Sequence, residues 1–115
     1  MIYFRELLDK VMVIIGEDAD PKDYLNFIRS MPCLVKDQEC YGIVEAHHLK
    51  SRGTGGSDFL AIPLCRRHHT GGIHQIGIDT FARHYSIDYE KEILNLVKLY
   101  NQLDMNRINR NGEIF

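Results

Sequence analysis

Several features are scarce in this 115-residue chain, and two of these scarcities argue against a class of protein. Tryptophan is absent, and proline occurs three times. The three cysteines are too few for a disulfide scaffold, and their number is odd, so metal binding explains them better. No apolar run approaches the roughly 20 residues that cross a bilayer, and the N-terminus shows no cleavable apolar leader. We therefore expect a single cytoplasmic domain with no membrane partner.

A strong charge of one sign is also missing, because 14 basic and 16 acidic side chains leave a formal net charge of −2. Whole-molecule basicity therefore gives no argument for a nucleic-acid partner. The charge is uneven, however, since residues 45–85 hold five basic and three acidic side chains, a local excess of +2. Such an excess is slight and, taken alone, is equally compatible with no function. Five of the six histidines lie within residues 47–74 of this segment.

Hydrophobic spacing predicts two N-terminal helices. Apolar residues recur at helical intervals over residues 3–15, although the β-branched run before Gly16 leaves a strand as the alternative. Asp20 and Pro21 are typical of a helix start, with a side-chain acceptor at the cap and proline at the first position. This second helix is expected to run to about Arg29.

Two short apolar segments, Ile43–Leu49 and Phe59–Leu64, are separated by a glycine-rich turn and predict a β-hairpin. A short helix is expected to begin at Cys65 and to break at Gly71-Gly72. Two further helices are expected toward the C-terminus, followed by a frayed tail. They cover Ile78–Tyr85 and Asp88 to about Leu103, and the tail covers Asn106–Phe115.

Five clustered histidines, with Cys65 beside them, indicate a metal site. Consecutive residues of a strand point to opposite faces, so a histidine pair in the first strand must have two different roles. A histidine pair on a strand and another at the start of the next helix is the layout of a ββα-metal site, where imidazoles meet around one cation. The five are His47, His48, His68, His69 and His74.

These residues resemble the HNH endonucleases, in particular the small phage-encoded, recombination-associated nucleases of the Ref and Rap kind. Those proteins have an Ala-His-His-Leu strand, a glycine-rich loop and an Ile-Pro-Leu-Cys-x-x-His-His element with another histidine soon after it. The matching residues here are 46–49, 62–69 and 74. The resemblance covers residues 24–85, over half of the chain.

By position, the resemblance implies that His48 is the general base and that His47, His69 and His74 bind the catalytic ion. Phosphodiester hydrolysis needs a base for the attacking water and a cation beside the leaving oxygen. Three imidazoles favour Zn²⁺, Mn²⁺ or Ni²⁺ over Mg²⁺, which prefers oxygen ligands, and the working metal stays open. Four residues separate His69 from His74, so His74 is expected to reach the ion from beyond a helix end.

The chain departs from the motif at its middle asparagine, because no asparagine occurs between His48 and Leu94. Asp58 lies near that position and is the candidate substitute. It could bind the backbone of the loop that orients His48, and a simple turn-forming aspartate is the alternative.

Three cysteines and the remaining histidine of the motif suggest a second, structural zinc site. Cys65 and His68 would supply half of a tetrahedral set, and Cys33 and Cys40 the other half from a loop. Lys36 stands where related sequences have a second cysteine, so Cys40 must substitute for it. Buried thiols that act as small hydrophobic groups are the alternative.

Four basic residues flank the glycine-rich loop and are candidate contacts to DNA phosphates, which position a protein without reading sequence. They are Lys50, Arg52, Arg66 and Arg67. The loop lacks the Lys-Ser/Thr ending of a nucleotide-binding P-loop, so it is either a flexible connection or a place where DNA approaches closely.

We therefore expect an α+β fold in which a ββα-metal (HNH) core, residues 33–85, lies between a helical segment, residues 1–30, and a C-terminal helix, residues 88–104. The whole chain, 1–115, would be one nuclease domain. It would act as a metal-dependent DNA endonuclease or nickase linked to phage recombination, with a recombinase or a second copy of itself as candidate partners. The alternative is a catalytically inactive, zinc-stabilised module that binds DNA or protein. A third, weaker alternative is that every cysteine and histidine serves structural zinc.

Overall fold

The structure, a computed structural model, describes residues 3–50 and 56–111, with side chains described as far as residue 103. It is a mixed α+β fold, as expected. The helices are α1 (Phe4–Ile15), α2 (Pro21–Ser30), α3 (Arg66–His68), α4 (His74–Ile76), α5 (Ile78–Tyr85) and α6 (Tyr89–Asn111), and the strands are β1 (Val44–His48) and β2 (Ala61–Cys65). A 3-10 turn (Asp58–Leu60) precedes β2, and a π-helical turn (His69–Ile73) joins α3 to α4. No described helix is both long enough and apolar enough to cross a membrane.

The two N-terminal helices begin and end where the sequence predicts. α1 buries Leu7 and Val11 and ends at Gly16, whose φ of 83° leaves the helical region, so the alternative of a strand is wrong. α2 begins at the cap Asp20, whose side chain accepts a hydrogen bond of 3.0 Å from the backbone of Lys22. The helix therefore starts at the proline, as expected.

The predicted hairpin is confirmed, with small differences in the bounds of its strands. β1 and β2 pair antiparallel, with Val44 opposite Cys65 and His48 opposite Ala61. Every residue of β2 is buried, while those of β1 are half-buried. A strand buried on both faces is continuously apolar, which is what the sequence of β2 shows. The chain after α2 also forms a hydrogen bond with β2. The backbone N–H of Leu34 donates to the carbonyl of Pro63 at 2.9 Å.

α5 has the predicted bounds, whereas α6 extends well past the predicted end. It continues to Asn111, so the expectation of a frayed tail from Asn106 is wrong over those residues. The reason is that no glycine or proline interrupts the chain between Tyr89 and Asn111. α1 packs along α6 and closes the core, which includes Leu7, Val11, Ile93 and Val97.

Candidate metal centres

Three cysteines and a histidine converge where β2 ends. The ligand atoms of Cys33, Cys40, Cys65 and His68, here called the thiolate cluster, lie within 4.8 Å of one another. Their three Sγ atoms are 3.7, 3.5 and 3.1 Å from Nδ1 of His68, in that order. Tetrahedral zinc, with Zn–S of about 2.3 Å and Zn–N of about 2.0 Å, places sulfur and nitrogen roughly 3.6 Å apart. The spacing therefore fits a metal site, and the predicted grouping of these four residues is confirmed.

The loop after α2 delivers the two thiols that are remote in sequence. Cys33 follows the helix end at Met31, and the turn around Asp37 is closed by a 3.2 Å bond from the backbone N–H of Cys40 to the carbonyl of Asp37. Lys36 adopts a left-handed φ of 51° within this loop. Residue 36 is a lysine and has no thiol to offer. The loop brings Cys40 to the cluster instead.

A carboxylate that sequence reasoning missed orients the histidine of this cluster. Nε2 of His68 lies 3.1 Å from Asp37, and the His68 side chain is only 2% exposed. With Nε2–H donated to the carboxylate, Nδ1 is left facing the three sulfur atoms. Metal-bound histidines commonly have such a carboxylate behind them. The only signal in the sequence was an acidic residue three positions before Cys40.

The thiols of the cluster differ in acidity. Burial acts to raise the pKa of Cys65, but hydrogen bonds from the backbone and ring of His68 and from the backbone of Tyr41 outweigh it and lower that pKa to about 6. Burial raises the pKa of Cys40 to about 11. Because the thiolate is the form that binds metal, the lowered pKa favours Cys65 as a metal donor.

A second group, the histidine cluster, consists of His47, His69 and His74. One nitrogen from each lies within 4.8 Å of the others, and the ring centroids are 4.6 to 5.2 Å apart. The Nε2 atoms of His69 and His74 are 3.0 Å apart. Metal–nitrogen bonds of about 2.0–2.1 Å at tetrahedral or octahedral angles place two such nitrogens roughly 2.8–3.4 Å apart. The cluster therefore fits a divalent ion held by three imidazoles.

The π-helical turn explains how two histidines five positions apart meet. The backbone N–H of His74 donates to the carbonyl of His69, a bond that spans five residues where an α-helix spans four. The turn passes through Gly71 and Gly72, so the predicted break there is wrong. The expected approach of His74 from beyond a helix end is also wrong, because it begins α4 within one continuous helical path.

Glu45 orients the ring of His69. Its Oε1 accepts a hydrogen bond of 3.0 Å from Nδ1 of His69, and its Oε2 lies 3.3 Å from Arg66. The hydrogen bond from His69 is the main reason that the pKa of Glu45 lies below its ordinary value. Nε2 of His69 is therefore the nitrogen left for an ion. Sequence reasoning gave Glu45 no role, although its place two residues before His47 puts both on one face of β1.

The two histidines of β1 have different neighbours, as the strand geometry predicts. His47 joins the histidine cluster, and burial, followed by the nearby rings of His69 and His74, lowers its pKa to about 4. It is therefore neutral, and able to bind metal, at physiological pH. Nε2 of His48 instead lies 2.6 Å from a carboxylate oxygen of Asp58. Asp58 therefore contacts the ring of His48 directly, a contact that the sequence did not predict.

Both kinds of histidine face one pocket of about 470 Å³. His47, His69 and His74 line it together with His48, and Leu49 and Ile73 are among its apolar residues. A substrate in this pocket would therefore lie beside both the histidine cluster and the ring of His48.

The predicted phosphate contacts are mostly engaged within the protein. Arg66 lies 3.3 Å from Glu45. Arg67 donates to the carbonyl of Gly71 at 2.9 Å and lies 3.5 Å from Glu39. The ammonium of Lys50 lies over the ring of Phe4, 6.0 Å from its centroid. Arg52 falls outside the described residues.

The chain was compared with protein-family models, curated proteins and solved structures, and no match was found. The chemistry of the site is therefore derived from its own residues. They form two potential ion sites, one with buried sulfur ligands and one with accessible nitrogen ligands beside a hydrogen-bonded His–Asp pair. Such a set can bind a divalent ion and accept a proton nearby.

Proposed function

We propose that this protein is a metal-dependent DNA endonuclease or nickase of the HNH kind. The observation that supports it is that His48, with Asp58 on its ring, lines the same pocket as the three imidazoles of the histidine cluster. Hydrolysis of a phosphodiester needs this pair of functions, a proton acceptor and a cation, within reach of one phosphate.

In this proposal His48 accepts a proton from the attacking water. Its Nε2–H is donated to Asp58, so the lone pair for the proton is on Nδ1. Asp58 also stabilises the positive ring that results. His47, His69 and His74 hold the catalytic ion, and Glu45 keeps the Nε2 atom of His69 toward it. When bound, a divalent ion stabilises the charge that develops on the phosphate and the leaving oxygen.

We assign structural Zn²⁺ to the thiolate cluster. Four protein ligands complete a tetrahedral set and leave no open position for substrate, which is typical of structural zinc. Three of the four residues are buried, and Cys40 is half-buried. The thiolate cluster adjoins the pocket in the chain, since His69, the residue after its ligand His68, lines that pocket.

The second candidate function is a zinc-stabilised module that binds DNA or protein without cleavage. The observation that favours it is the engagement of Arg66 and Arg67 by acidic side chains, which leaves less free positive charge for phosphates. The net charge of −2 points the same way. A recombinase or a second copy of the chain would then supply part of the DNA affinity.

A plasmid-nicking assay tests the proposal. The zinc-loaded chain is stripped of loosely bound ions and given Mn²⁺, Mg²⁺, Ni²⁺ or Zn²⁺, on plain, branched and single-stranded DNA. His48→Ala should keep its fold and bind Mn²⁺ yet lose roughly 10²–10⁴ in rate. His69→Ala should lose Mn²⁺ binding as well. His84→Ala is the matched control, since its ring contacts Tyr85 and belongs to neither cluster.

Two outcomes would contradict the proposal. Nicking by His48→Ala at the wild-type rate removes the base assignment. No cleavage by the wild-type chain with any of these ions on any of these substrates, while DNA binding is retained, favours the binding module.

A further inference from the structure

The two metal clusters share one short stretch of chain. Cys65 and His68 belong to the thiolate cluster, and His69 belongs to the histidine cluster. The last ligand of one cluster is therefore the immediate neighbour of a ligand of the other. An ion that fixes the backbone at His68 also limits the positions that His69 can adopt, because adjacent residues share a planar peptide unit.

Arg67, between these ligands, connects the loop of the thiolate cluster to the π-helical turn. One of its nitrogens lies 3.5 Å from Glu39, the residue before Cys40, and the other donates to the carbonyl of Gly71 at 2.9 Å. A Cβ at position 71 would lie 2.9 Å from that guanidinium nitrogen, so a side chain there would make the guanidinium shift. Arg67 thus touches both the segment that presents Cys40 and the turn that aligns His69 with His74.

Arg66 makes a second connection, on the side of β1. Its guanidinium lies 3.3 Å from Glu45, and Glu45 accepts the hydrogen bond that orients His69. At the other end, a Cβ on Gly42 would lie 2.8 Å from Cβ of Arg66, so Arg66 packs tightly against the loop two residues after Cys40. Gly42 has a φ of 85°, which that loop requires.

We infer that the two clusters bind metal cooperatively, with zinc in the thiolate cluster raising the affinity of the histidine cluster for its ion, and with Arg66 and Arg67 as positioning residues. Zinc binding orders the loop over residues 33–42 and α3, so the ordering of His69 is already complete when the second ion arrives. Thermodynamic linkage then requires a reciprocal effect of equal size. The thiolate cluster should bind zinc more tightly when the histidine cluster is occupied. This inference concerns binding and goes beyond the proposed nuclease activity.

Calorimetry with Mn²⁺ as the probe tests the inference on the full chain, because Mn²⁺ prefers nitrogen and oxygen ligands to thiolates. The dissociation constant for Mn²⁺ should be roughly 5- to 150-fold higher in zinc-stripped protein than in zinc-loaded protein. Zinc affinity, measured by competition with a chromophoric chelator, should rise by the same factor when Mn²⁺ is saturating. Equal Mn²⁺ affinity in the two zinc states would overturn the inference.

Zinc-stripped protein would also bind Mn²⁺ more weakly if it simply unfolded. Two variants that keep all seven ligand residues separate this explanation from the proposed coupling. Arg66→Ala and Arg67→Ala should bind zinc in full and retain their helical circular dichroism. Each should weaken Mn²⁺ binding roughly two- to fivefold, the range expected for exposed ion pairs. Arg83→Ala is the matched control, because its described bond is to Thr80 within α5. Wild-type Mn²⁺ affinity in both variants would remove their role as positioning residues.

The same measurements separate this inference from the proposed function. A chain that cuts no DNA but shows reciprocal zinc and Mn²⁺ binding fails as a nuclease and still has coupled sites. A chain that nicks DNA with the same Mn²⁺ dependence in both zinc states is a nuclease whose sites are independent.

Discussion

A carboxylate oxygen of Asp58 lies 2.6 Å from Nε2 of His48, and both side chains are about four-fifths buried, with 17% and 21% exposed. His48 lines the pocket that the histidine cluster also lines. In the proposed mechanism Asp58 keeps the proton on Nε2 and leaves Nδ1 free for the water.

Asp58→Asn should slow nicking by roughly 10- to 10³-fold, because an amide neither stabilises the protonated ring nor selects the same tautomer. The measurement is the single-turnover nicking rate at saturating Mn²⁺. Mn²⁺ affinity should stay at the wild-type value, since Asp58 belongs to neither cluster. Asp9→Asn on α1 serves as the control, and an unchanged rate for Asp58→Asn would leave the aspartate as a turn residue alone.

Asp37→Asn should weaken zinc binding by roughly 10- to 100-fold, the usual cost of losing a carboxylate behind a metal-bound histidine. The amide can still accept the hydrogen bond from His68, but it lacks the charge that makes the ring a better donor. Competition with a chromophoric chelator measures the change. The neighbouring variant Gln38→Ala is the control, and equal zinc affinity in both would show that Asp37 only shapes the turn.

The fold was predictable where the residues that end an element are adjacent to it in sequence. Asp20 and Pro21 determine the start of α2, and the two strands that pair lie on either side of the glycine-rich sequence. The end of α6 was missed because polar asparagines near Asn106 look like a frayed tail, although they do not interrupt a helix as glycine or proline would.

The grouping of the residues in both clusters was predictable because cysteine and histidine have few other reasons to recur at this spacing. The residues that orient them were not. In the sequence, Asp37 and Glu45 look like ordinary surface carboxylates. Only the folded loop and hairpin place each of them beside a ring nitrogen of a histidine. The π-helical turn was missed because the pair of glycines predicts a break, whereas in the structure the chain continues through both of them with a bond from His74 to His69.

Tyr24→Phe should stabilise the protein. The hydroxyl of Tyr24 is buried and, among the described residues, has no hydrogen-bond partner, while burial also raises its pKa. Removing a buried, unsatisfied hydroxyl should raise the free energy of unfolding by about 1 kcal/mol. Urea unfolding at pH 7 measures it. Tyr100→Phe, which loses a hydroxyl bonded to Asp23, is the matched variant and should be destabilised; a loss in both would contradict the prediction.

Stability should fall at alkaline pH, partly through Tyr89. Burial, and then the charge of Asp79, raise the pKa of Tyr89 to about 12, above the ordinary value of 10.0. Between these values the unfolded chain has lost a proton that the folded chain keeps, so the free energy of unfolding decreases as pH rises. Tyr89→Phe should flatten this decrease in urea titrations between the two values. An equally steep decrease in the variant would assign it to other groups.

The π-helical turn makes the distance between His69 and His74 tolerant of change in one direction only. Removing one residue between them would allow the ordinary α-helical hydrogen bond between residues four apart. That spacing also places both rings on one side of a helix. Adding a residue would rotate the second ring away from the first, because no common helix closes a bond over six. Among natural or engineered variants of this segment, shortened chains should keep the ion and lengthened ones should lose it.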